Sequence, residues 1–232
     1  MKKLALVGYG KMGRLLHQLA PEAGFEVALV LDVDADLARA DFSGIDAAIE
    51  FTEPSAAPAN LLALAAAKVP TVCGTTGWLE RLDEVSEAYR NNGGVLVYGA
   101  NFSIGVQLFA RLCAEAAALF AGHADYEAWA WEMHHSAKKD APSGTLLMLV
   151  DRMRAAGYTA PVDVAASRAG RVPGTHEIGF DAAADTITLR HTARSREGFA
   201  RGALFAANWL EGRRGVYDFR EALFGGAGEE AR

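Results

Sequence analysis

The chain has very few cysteines. Cys73 and Cys113 are the two that occur in its 232 residues, and no Cys-X-X-Cys pair is present. Two isolated cysteines supply neither a disulfide framework nor a cysteine-based zinc site. This composition fits the reducing cytoplasm, which is the location we expect. No base stands near Cys73 in the sequence, so we expect it to pack as a small apolar residue rather than to act as a nucleophile.

The sequence also lacks an excess of positive charge and a long apolar run. The formal net charge is -6, from 23 basic and 29 acidic residues. Nonspecific nucleic-acid binding needs a basic face, so we expect no nucleic-acid partner. No apolar stretch approaches the roughly 20 residues of a membrane span, so we expect no membrane partner. Residues 1–8 begin like a signal peptide, but Gly8 comes too early for its apolar region, and a strand fits better.

The first residues predict a strand, a glycine-rich turn and a helix. An apolar run at residues 4–7 is followed by Gly8-Tyr-Gly-Lys-Met-Gly13, and residues 14–20 then have helical spacing. In a GxGxxG turn the first glycine permits the tight bend, the second admits a pyrophosphate, and the third lets the helix pack on the strand. A second strand at residues 25–31 leads to Asp32, where an acidic side chain can bind the ribose hydroxyls.

This arrangement favours a dinucleotide site over a plain strand–helix turn with a solvated aspartate. Val33 follows Asp32, so no adjacent arginine is available for a 2′-phosphate. Lys11 and Arg14 lie near the phosphates, or else are surface charges. We therefore expect NADH in preference to NADPH. The predicted cofactor-binding residues of this segment are Gly8, Tyr9, Gly10, Lys11, Met12, Gly13 and Asp32.

Strands and helices keep alternating after this segment. Strand patterns at residues 46–52, 70–73 and 94–98 are separated by helical patterns at residues 54–68 and 78–92. This rhythm predicts an α/β fold with a Rossmann-type doubly wound parallel sheet. Ligands of such sheets bind beyond the carboxyl ends of the strands, although a plain loop is an alternative at each turn. The cofactor-binding residues predicted there are Gly74, Thr75, Thr76, Gly99, Ala100, Asn101 and Phe102.

Two of these residues have a further alternative: Asn101 could be a helix N-cap and Phe102 a core aromatic. The alternation then changes after a long apolar helix at residues 106–121. Strand patterns at residues 126–133, 178–180 and 186–192 predict a second, smaller α+β domain for substrate binding and oligomerisation.

The last part of the chain could return to the first domain. A helical pattern at residues 199–211 is followed by an apolar segment at residues 215–223. The glycine-rich tail, residues 225–232, is predicted to be mobile. The predicted division assigns the dinucleotide-binding domain to residues 1–103 and 208–232, and the second domain to residues 104–207.

A dense polar cluster stands between a predicted strand and a predicted helix. Residues 132–145 read EMHHSAKKDAPSGT. Cationic and proton-transferring groups at such a junction suit an anionic substrate that must be protonated. Adjacent histidines on a strand point to opposite faces, so one could be buried and the other exposed. We expect no metal, because His-X-His would be the natural strand spacing, although His176 and His191 could be brought in by folding.

Together these segments resemble the 4-hydroxy-tetrahydrodipicolinate reductase (dihydrodipicolinate reductase) family. The match runs nearly end to end and in order, and the pattern HHxxKxDxPSGT is its most specific part. The chain is shorter than typical members between residues 32 and 46 and around residues 172–176. The matching segments are residues 8–13, 50–52, 74–77, 100–106, 132–145, 172–177 and 191–200.

The resemblance implies an activity in diaminopimelate and lysine biosynthesis. NADH or NADPH would reduce 4-hydroxy-tetrahydrodipicolinate, a small dicarboxylate substrate, to tetrahydrodipicolinate and water. Lys138 would be the proton donor and His134 its partner in proton transfer. The substrate carboxylates would be bound by His135, Gly144 and Thr145.

The resemblance also implies a homotetramer built through the second domain. The roles of Arg194 and Arg196 stay open between attraction of the dicarboxylate and solvated surface charge. Asp140 is expected to fix its loop, and Lys139 to be solvated. Two alternatives to a reductase of this family remain: a related two-domain dehydrogenase of amino or keto acids, and a non-catalytic NAD-binding regulatory module.

Overall fold

A computed structural model of the chain describes residues 1–225. Residues 226–232, which hold most of the tail predicted to be mobile, lie outside the described part. In chain order the strands are β1 (Lys2–Val7), β2 (Phe25–Leu31), β3 (Ala47–Glu50), β4 (Thr71–Cys73), β5 (Val95–Tyr98), β6 (Glu127–His134), β7 (Val162–Arg168), β8 (Thr175–Asp181), β9 (Thr186–Thr192) and β10 (Gly215–Asp218). The α-helices are α1 (Lys11–Leu19), α2 (Ala57–Ala66), α3 (Leu82–Asn91), α4 (Ile104–Phe120), α5 (Gly144–Ala155), α6 (Glu197–Trp209) and α7 (Phe219–Phe224). No helix within residues 1–225 is long and apolar enough to cross a membrane.

The first of two compact units contains a six-stranded sheet. Its strand order is β10-β5-β4-β3-β1-β2, and every pairing is parallel. The chain leaves β1 toward β2 on one side and then continues through β3, β4 and β5 on the other. This reversal between β1 and β3 is the topological switch point at which such sheets bind ligands. The predicted doubly wound parallel sheet is therefore confirmed.

Helix α6 belongs to this first unit. The unit comprises residues 1–104 together with the chain from Glu197 onward. Ala200, Ala203 and Leu204 of α6 are buried in the same core cluster as strand residues of the sheet. A Cβ at Gly202 would lie 1.7 Å from the carbonyl oxygen of Phe102, so the helix packs directly on the backbone there. The predicted boundary at 207/208 falls inside α6, because the sequence pattern of a helix does not reveal which sheet buries its apolar face.

The second unit, Gly105–Arg196, contains a four-stranded mixed sheet. Its order is β7-β6-β8-β9, with β6 and β7 parallel and the other pairs antiparallel. One face packs against α4 and α5 through a core that includes Phe109, Leu149 and Ile178. The predicted α+β unit is confirmed. The sequence did not predict β7, whose side chains are all half-buried or exposed and give no clear apolar alternation.

Candidate active site

The glycine turn after β1 assigns different tasks to its three glycines. Gly8 has a φ of +92°, and a Cβ there would lie 2.1 Å from the Phe51 carbonyl oxygen. A Cβ at Gly13 would lie 2.2 Å from the carbonyl oxygen of Gly8. Gly10 differs, because within residues 1–225 no atom beyond its two chain neighbours lies within 4 Å of its Cβ position. The first and third glycines therefore close the turn and seat the helix, while the second leaves its backbone open to a ligand.

The start of α1 fits the phosphates of a dinucleotide. Gly10 is its N-cap, and no side chain accepts a hydrogen bond there. The first N–H groups of a helix lack intrahelical acceptors and form the positive end of the helix dipole, which favours an anion. Lys11 is exposed at this end. Asp32 lies just after β2, and its Oδ1 accepts a hydrogen bond from the Tyr9 N–H at 3.1 Å, so an acidic group stands beside the glycine turn.

The turn after β4 mixes structural and open positions. The Oγ1 of Thr75 accepts a hydrogen bond from the Thr52 N–H at 2.7 Å, and Thr75 is buried. Gly74 lies against the Phe51 ring, where a Cβ would come within 2.0 Å of a ring carbon. Thr76 is exposed. The side chain of Thr75 therefore ties two strand ends together, and Thr76 presents the hydroxyl that a ligand can reach.

In the turn after β5, Phe102 has the core position named as its alternative, whereas Asn101 lies two residues before the N-cap position of α4. Asn101 Oδ1 accepts a hydrogen bond from the Ser103 N–H at 2.9 Å, just before α4 begins. Phe102 is 2% exposed, and its ring centroid lies 4.5 Å from that of Phe219. Its side chain thus belongs to the core, and only its backbone remains for a cofactor. Gly99 has the same packing role, since a Cβ there would lie 2.9 Å from the Cβ of Phe219; Ala100 is exposed.

Strand β6 delivers the first part of the polar cluster. Its burial alternates along the strand, so Glu132 and His134 point to the buried face. His135 follows the strand end and is half-buried. Opposite partners in the register are His176 for Glu132, on β8, and Arg168 for His134, on β7. The sheet therefore gathers two histidines, a carboxylate and a guanidinium around the end of β6.

The loop after β6 places Lys138 beside Asp140. The Nζ of Lys138 lies 2.8 and 2.9 Å from the two carboxylate oxygens of Asp140. The hydrogen bond from Lys138 lowers the pKa of Asp140, which keeps the carboxylate charged. The backbone N–H of Lys138 also donates to the carbonyl of His135 at 3.1 Å. Lys139 is exposed. Asp140 thus holds the predicted proton donor directly, which is more than the loop-fixing role expected for it.

Helix α5 begins with the residues predicted to bind a carboxylate. Ser143 is its N-cap, and its Oγ accepts a hydrogen bond from the Leu146 N–H at 3.2 Å. Gly144 and Thr145 are the first two helical residues. Among residues 1–225, no atom outside the chain neighbours of Gly144 and the backbone of its own helix lies within 4 Å of its Cβ position. Their side of the helix start is exposed or half-buried. A carboxylate can therefore approach these N–H groups and the Thr145 hydroxyl.

Two family profiles match almost the whole chain. The profile described as "Dihydrodipicolinate reductase, N-terminus" matches residues 2–102, and "Dihydrodipicolinate reductase, C-terminus" matches residues 105–223. The chain belongs to the dihydrodipicolinate reductase family.

Individual relatives agree with this assignment. The 4-hydroxy-tetrahydrodipicolinate reductase of Christiangramia forsetii is 32% identical over 231 residues, covering 95% of this chain and 97% of that protein. The reductase of the same name from Pseudoalteromonas atlantica is 34% identical over 267 residues, covering 96% and 99%. A solved structure, the dipicolinate-bound dihydrodipicolinate reductase from Paenisporosarcina sp. TG-14, shares the fold with a TM-score of 0.80 at 21% identity, covering 95% of this chain and 99% of that one.

This dihydrodipicolinate reductase family member buries a carboxylate whose hydrogen-bonding capacity is already used. Glu132 is 0% exposed. Its Oε1 accepts hydrogen bonds from the Ser143 N–H at 2.9 Å and from Arg168 at 2.7 Å, and its Oε2 accepts one from the Ser143 hydroxyl. Burial opposes the charge, but the hydrogen bonds from Ser143 and Arg168 outweigh it and lower the pKa of Glu132. The carboxylate is therefore ionised and neutralised within the protein.

Glu132, His134 and His176 also have the ligand types of a metal site. One ligand atom from each lies within 4.8 Å of the other two. However, the guanidinium of Arg168 lies 2.7 Å from Oε1 of Glu132 and would repel a divalent cation at that carboxylate. The donor set fits a protein-neutralised carboxylate better than a metal centre.

Sequence reasoning left Glu132, Arg168 and Ser143 without roles. Glu132 lies within the motif at residues 132–145, and its spacing of two from His134 on a strand indicates that both side chains face one side of the sheet. Arg168 gave no such signal, because β7 was not predicted and the residue lies 36 positions from Glu132 in sequence. Long-range pairing of this kind comes from the sheet register, which the sequence pattern does not fix.

Proposed function

We propose that this protein is a 4-hydroxy-tetrahydrodipicolinate reductase of diaminopimelate and lysine biosynthesis that uses NAD(P)H. The observation that supports it most is the β6–α5 junction. There, a buried histidine, a loop lysine and an open helix N-terminus occur within residues 132–145 of a chain that belongs to this family along its length. We assign cofactor binding to the first unit and substrate binding to the second. Its two buried, unpaired cysteines suit the reducing cytoplasm, where we place its activity.

The residues of the first unit would hold the cofactor, which supplies the hydride. The open backbone of Gly10 and the uncapped start of α1 would bind the pyrophosphate. The Asp32 carboxylate would accept hydrogen bonds from the adenosine ribose hydroxyls. The same negative charge would repel a 2′-phosphate, so we propose a preference for NADH over NADPH. The further positions, Thr76 and Ala100, are exposed at the carboxyl ends of β4 and β5.

The residues of the second unit would bind and protonate the substrate. One carboxylate would be held by the N–H groups of Gly144 and Thr145 and by the Thr145 hydroxyl, and the other by His135. Negative charge develops on the substrate ring as it accepts the hydride, and a nearby acid must neutralise it. Lys138 would donate that proton from Nζ, and His134 would pass a proton toward Lys138 to restore it. When substrate binds, Lys138 would leave the Asp140 carboxylate and contact the substrate instead.

We also propose a homotetramer built through the second unit, on the basis of the family resemblance. Light scattering coupled to size exclusion should give a mass near four times the 24.7 kDa chain. A monomer at micromolar concentration would contradict this part of the proposal.

The activity is tested by following the absorbance of NADH and NADPH. The substrate is made fresh by enzymatic condensation of pyruvate with aspartate semialdehyde. The proposal expects oxidation that depends on both substrate and enzyme, with the larger kcat/KM for NADH. If well-folded protein oxidises neither cofactor, the reductase assignment fails. If it binds the cofactor without turnover, a non-catalytic dinucleotide-binding module is the better description.

A further inference from the structure

The carboxylate of Glu132 is fixed by donors from two other elements. Ser143, at the start of α5, donates to it through both its N–H and its hydroxyl. Arg168, at the end of β7, donates through Nη2 at 2.7 Å. Because Glu132 is fully buried, bulk solvent does not compete with these donors for its carboxylate oxygens. The two carboxylate oxygens are thus held in fixed positions relative to the sheet.

Two imidazoles converge on the same oxygen of this carboxylate. Oε2 lies 3.6 Å from Nδ1 of His134 and 3.4 Å from Nε2 of His176. Both distances exceed the length of a good hydrogen bond, yet a shift of a few tenths of an ångström would bring either ring nitrogen within hydrogen-bonding distance of Oε2. Nδ1 of His134 is buried and has no hydrogen-bond partner among residues 1–225. A proton on this Nδ1 would point toward the Glu132 carboxylate. The Nδ1–H···Oε2 hydrogen bond would strengthen when the ring becomes positively charged.

Of His134 and His176, His134 is the one whose protonation Glu132 can shift near neutral pH. Burial lowers the pKa of His176 to about 4, so its ring stays neutral near neutral pH. Burial also lowers the pKa of His134, while Glu132 and Asp140 act to raise it and Lys138 and Arg168 act to lower it. These four residues, with the neighbouring His176, are the charged or titratable groups that face the ring from β6, β7, β8 and the following loop. The protonation of His134 is therefore set by a balance in which the buried carboxylate of Glu132, hydrogen-bonded by Ser143 and Arg168, raises the pKa most.

We propose that Glu132 is a positioning residue for His134. The inference rests on the proposed function, in which His134 takes part in proton transfer. Oε2 holds the ring with its Nδ1–H toward the carboxylate, so that Nε2 is the atom that exchanges the proton. When Nε2 gains a proton, the carboxylate stabilises the resulting imidazolium, and when Nε2 releases it, the ring returns to the Nδ1–H tautomer.

Arg168 links this pair to the proton donor. The same Nη2 atom donates to Glu132 and to the carbonyl oxygen of Asp140. The side chain of Asp140 in turn binds Lys138 through both oxygens. One guanidinium therefore fixes the carboxylate beside His134 and the loop position that holds Lys138.

Gly174 lies against the other nitrogen of the His134 ring. A Cβ at Gly174 would lie 3.0 Å from Nε2 of His134, so the missing side chain leaves space beside this atom.

The test is the titration of His134 in two variants that should shift it in opposite directions. Glu132→Gln removes the nearby anion, and Arg168→Gln removes a nearby cation while leaving the anion. NMR of protein labelled at histidine, without substrate or cofactor, gives the midpoint; the His134→Gln spectrum assigns the signal. We expect the midpoint to fall by about one pH unit in Glu132→Gln and to rise by a similar amount in Arg168→Gln. Nitrogen shifts should show the Nδ1–H tautomer in the wild type.

A matched control is available on the neighbouring strand. Glu177 on β8 forms an ion pair with Arg190 at 2.7 Å and lies opposite Trp131 in the sheet register, so Glu177→Gln should leave the midpoint unchanged. Circular dichroism checks that each variant folds; if Glu132→Gln does not, Arg168→Gln and the charge-retaining Glu132→Asp carry the test. The inference is overturned if Arg168→Gln leaves the midpoint unchanged or lowers it, or if the wild-type tautomer is Nε2–H.

Turnover separates this inference from the proposed function. In an active reductase, Glu132→Gln should lower kcat by about 10- to 100-fold and leave KM for the substrate within about twofold, because the carboxylate is fully buried. Glu132→Asp should recover part of the loss. An inactive wild-type protein with opposite titration shifts would remove the reductase assignment and keep the Glu132–His134 pairing. An active wild type in which Glu132→Gln turns over normally would remove the positioning role alone.

Discussion

At the residue scale, the cofactor preference depends on the charge of one side chain. Asp32 accepts a hydrogen bond from the Tyr9 N–H, so its carboxylate is directed toward the glycine turn. Asp32→Asn keeps a carbonyl acceptor for that N–H and removes the charge. We expect kcat/KM for NADPH to rise relative to NADH by about tenfold, since about 1.4 kcal/mol of repulsion is removed. Initial rates with both cofactors measure the ratio.

The control for Asp32→Asn is Asp36→Asn. Asp36 is an exposed acid four residues later, and its Oδ1 accepts from the Ala38 N–H. This variant should leave the cofactor ratio within about twofold of the wild type. An unchanged ratio in Asp32→Asn would show that another residue sets the preference.

At the element scale, α6 packs closely on the neighbouring backbone because Gly202 has no side chain. Gly202 places the helix backbone against the carbonyl oxygen of Phe102, at a Cβ distance of 1.7 Å. Gly202→Ala must therefore displace the helix or the turn after β5, and we expect a loss of about 2–4 kcal/mol in the free energy of unfolding. Gly198→Ala, in the same helix, meets the Ser103 Oγ only at 3.2 Å and should cost clearly less. Urea unfolding of the three proteins tests this; equal stabilities would contradict the packing account.

The elements differ in how far the sequence predicted them. Strands β2 and β9 begin and end at the predicted residues, because each has uniform strand-forming composition between clear turns. Strand β7 was missed, since Asp163, Ala165 and Ser167 interrupt any apolar pattern and the strand is held by pairing with β6. The motif residues of the site were predicted by position. Their partner Arg168 was not, because the sheet register brings it in from β7, and the sequence suggested His176 only as a residue that folding could add to a metal site.

The core also explains why two predicted cofactor residues have structural side chains. Phe102 and Thr75 lie in the turns that follow β5 and β4, where we propose that the cofactor binds, and the sequence alone cannot separate a lining residue from a buried one. In the structure the Phe102 ring packs on Phe219, and the Thr75 hydroxyl serves the Thr52 N–H. Both turns can still offer backbone groups to a ligand. The pattern predicted the location of the turn correctly, while side-chain direction required the packed structure.

At the scale of the whole molecule, buried histidines make stability depend on pH. The pKa of His176 is lowered by burial to about 4 in the folded protein, compared with about 6.5 in the unfolded chain. Between these values the unfolded state binds more protons, so stability is full above pH 6.5 and falls as the pH drops toward 4. At pH 5, His176 should lower the free energy of unfolding by about 2 kcal/mol.

Urea unfolding at pH 7, 6 and 5 measures that slope. His176→Gln should reduce the loss of stability between pH 7 and pH 5, whatever its effect at pH 7. His123→Gln changes an exposed histidine and should keep the wild-type slope. A slope in His176→Gln equal to that of the wild type would mean that other groups cause the acid sensitivity.

At the scale of the whole molecule, we propose that residues 132–145 protonate a substrate that NAD(P)H reduces. The most direct measurement compares Lys138→Ala with Lys139→Ala in the coupled reductase assay, together with NADH binding by fluorescence. These neighbours share charge and sequence context, but Lys138 alone binds Asp140 in the structure and Lys139 is exposed. We expect Lys139→Ala to turn over like the wild type and Lys138→Ala to lose about 100- to 10,000-fold in kcat with unchanged NADH affinity. Near-normal turnover by Lys138→Ala, or equal losses in both variants, would contradict the account.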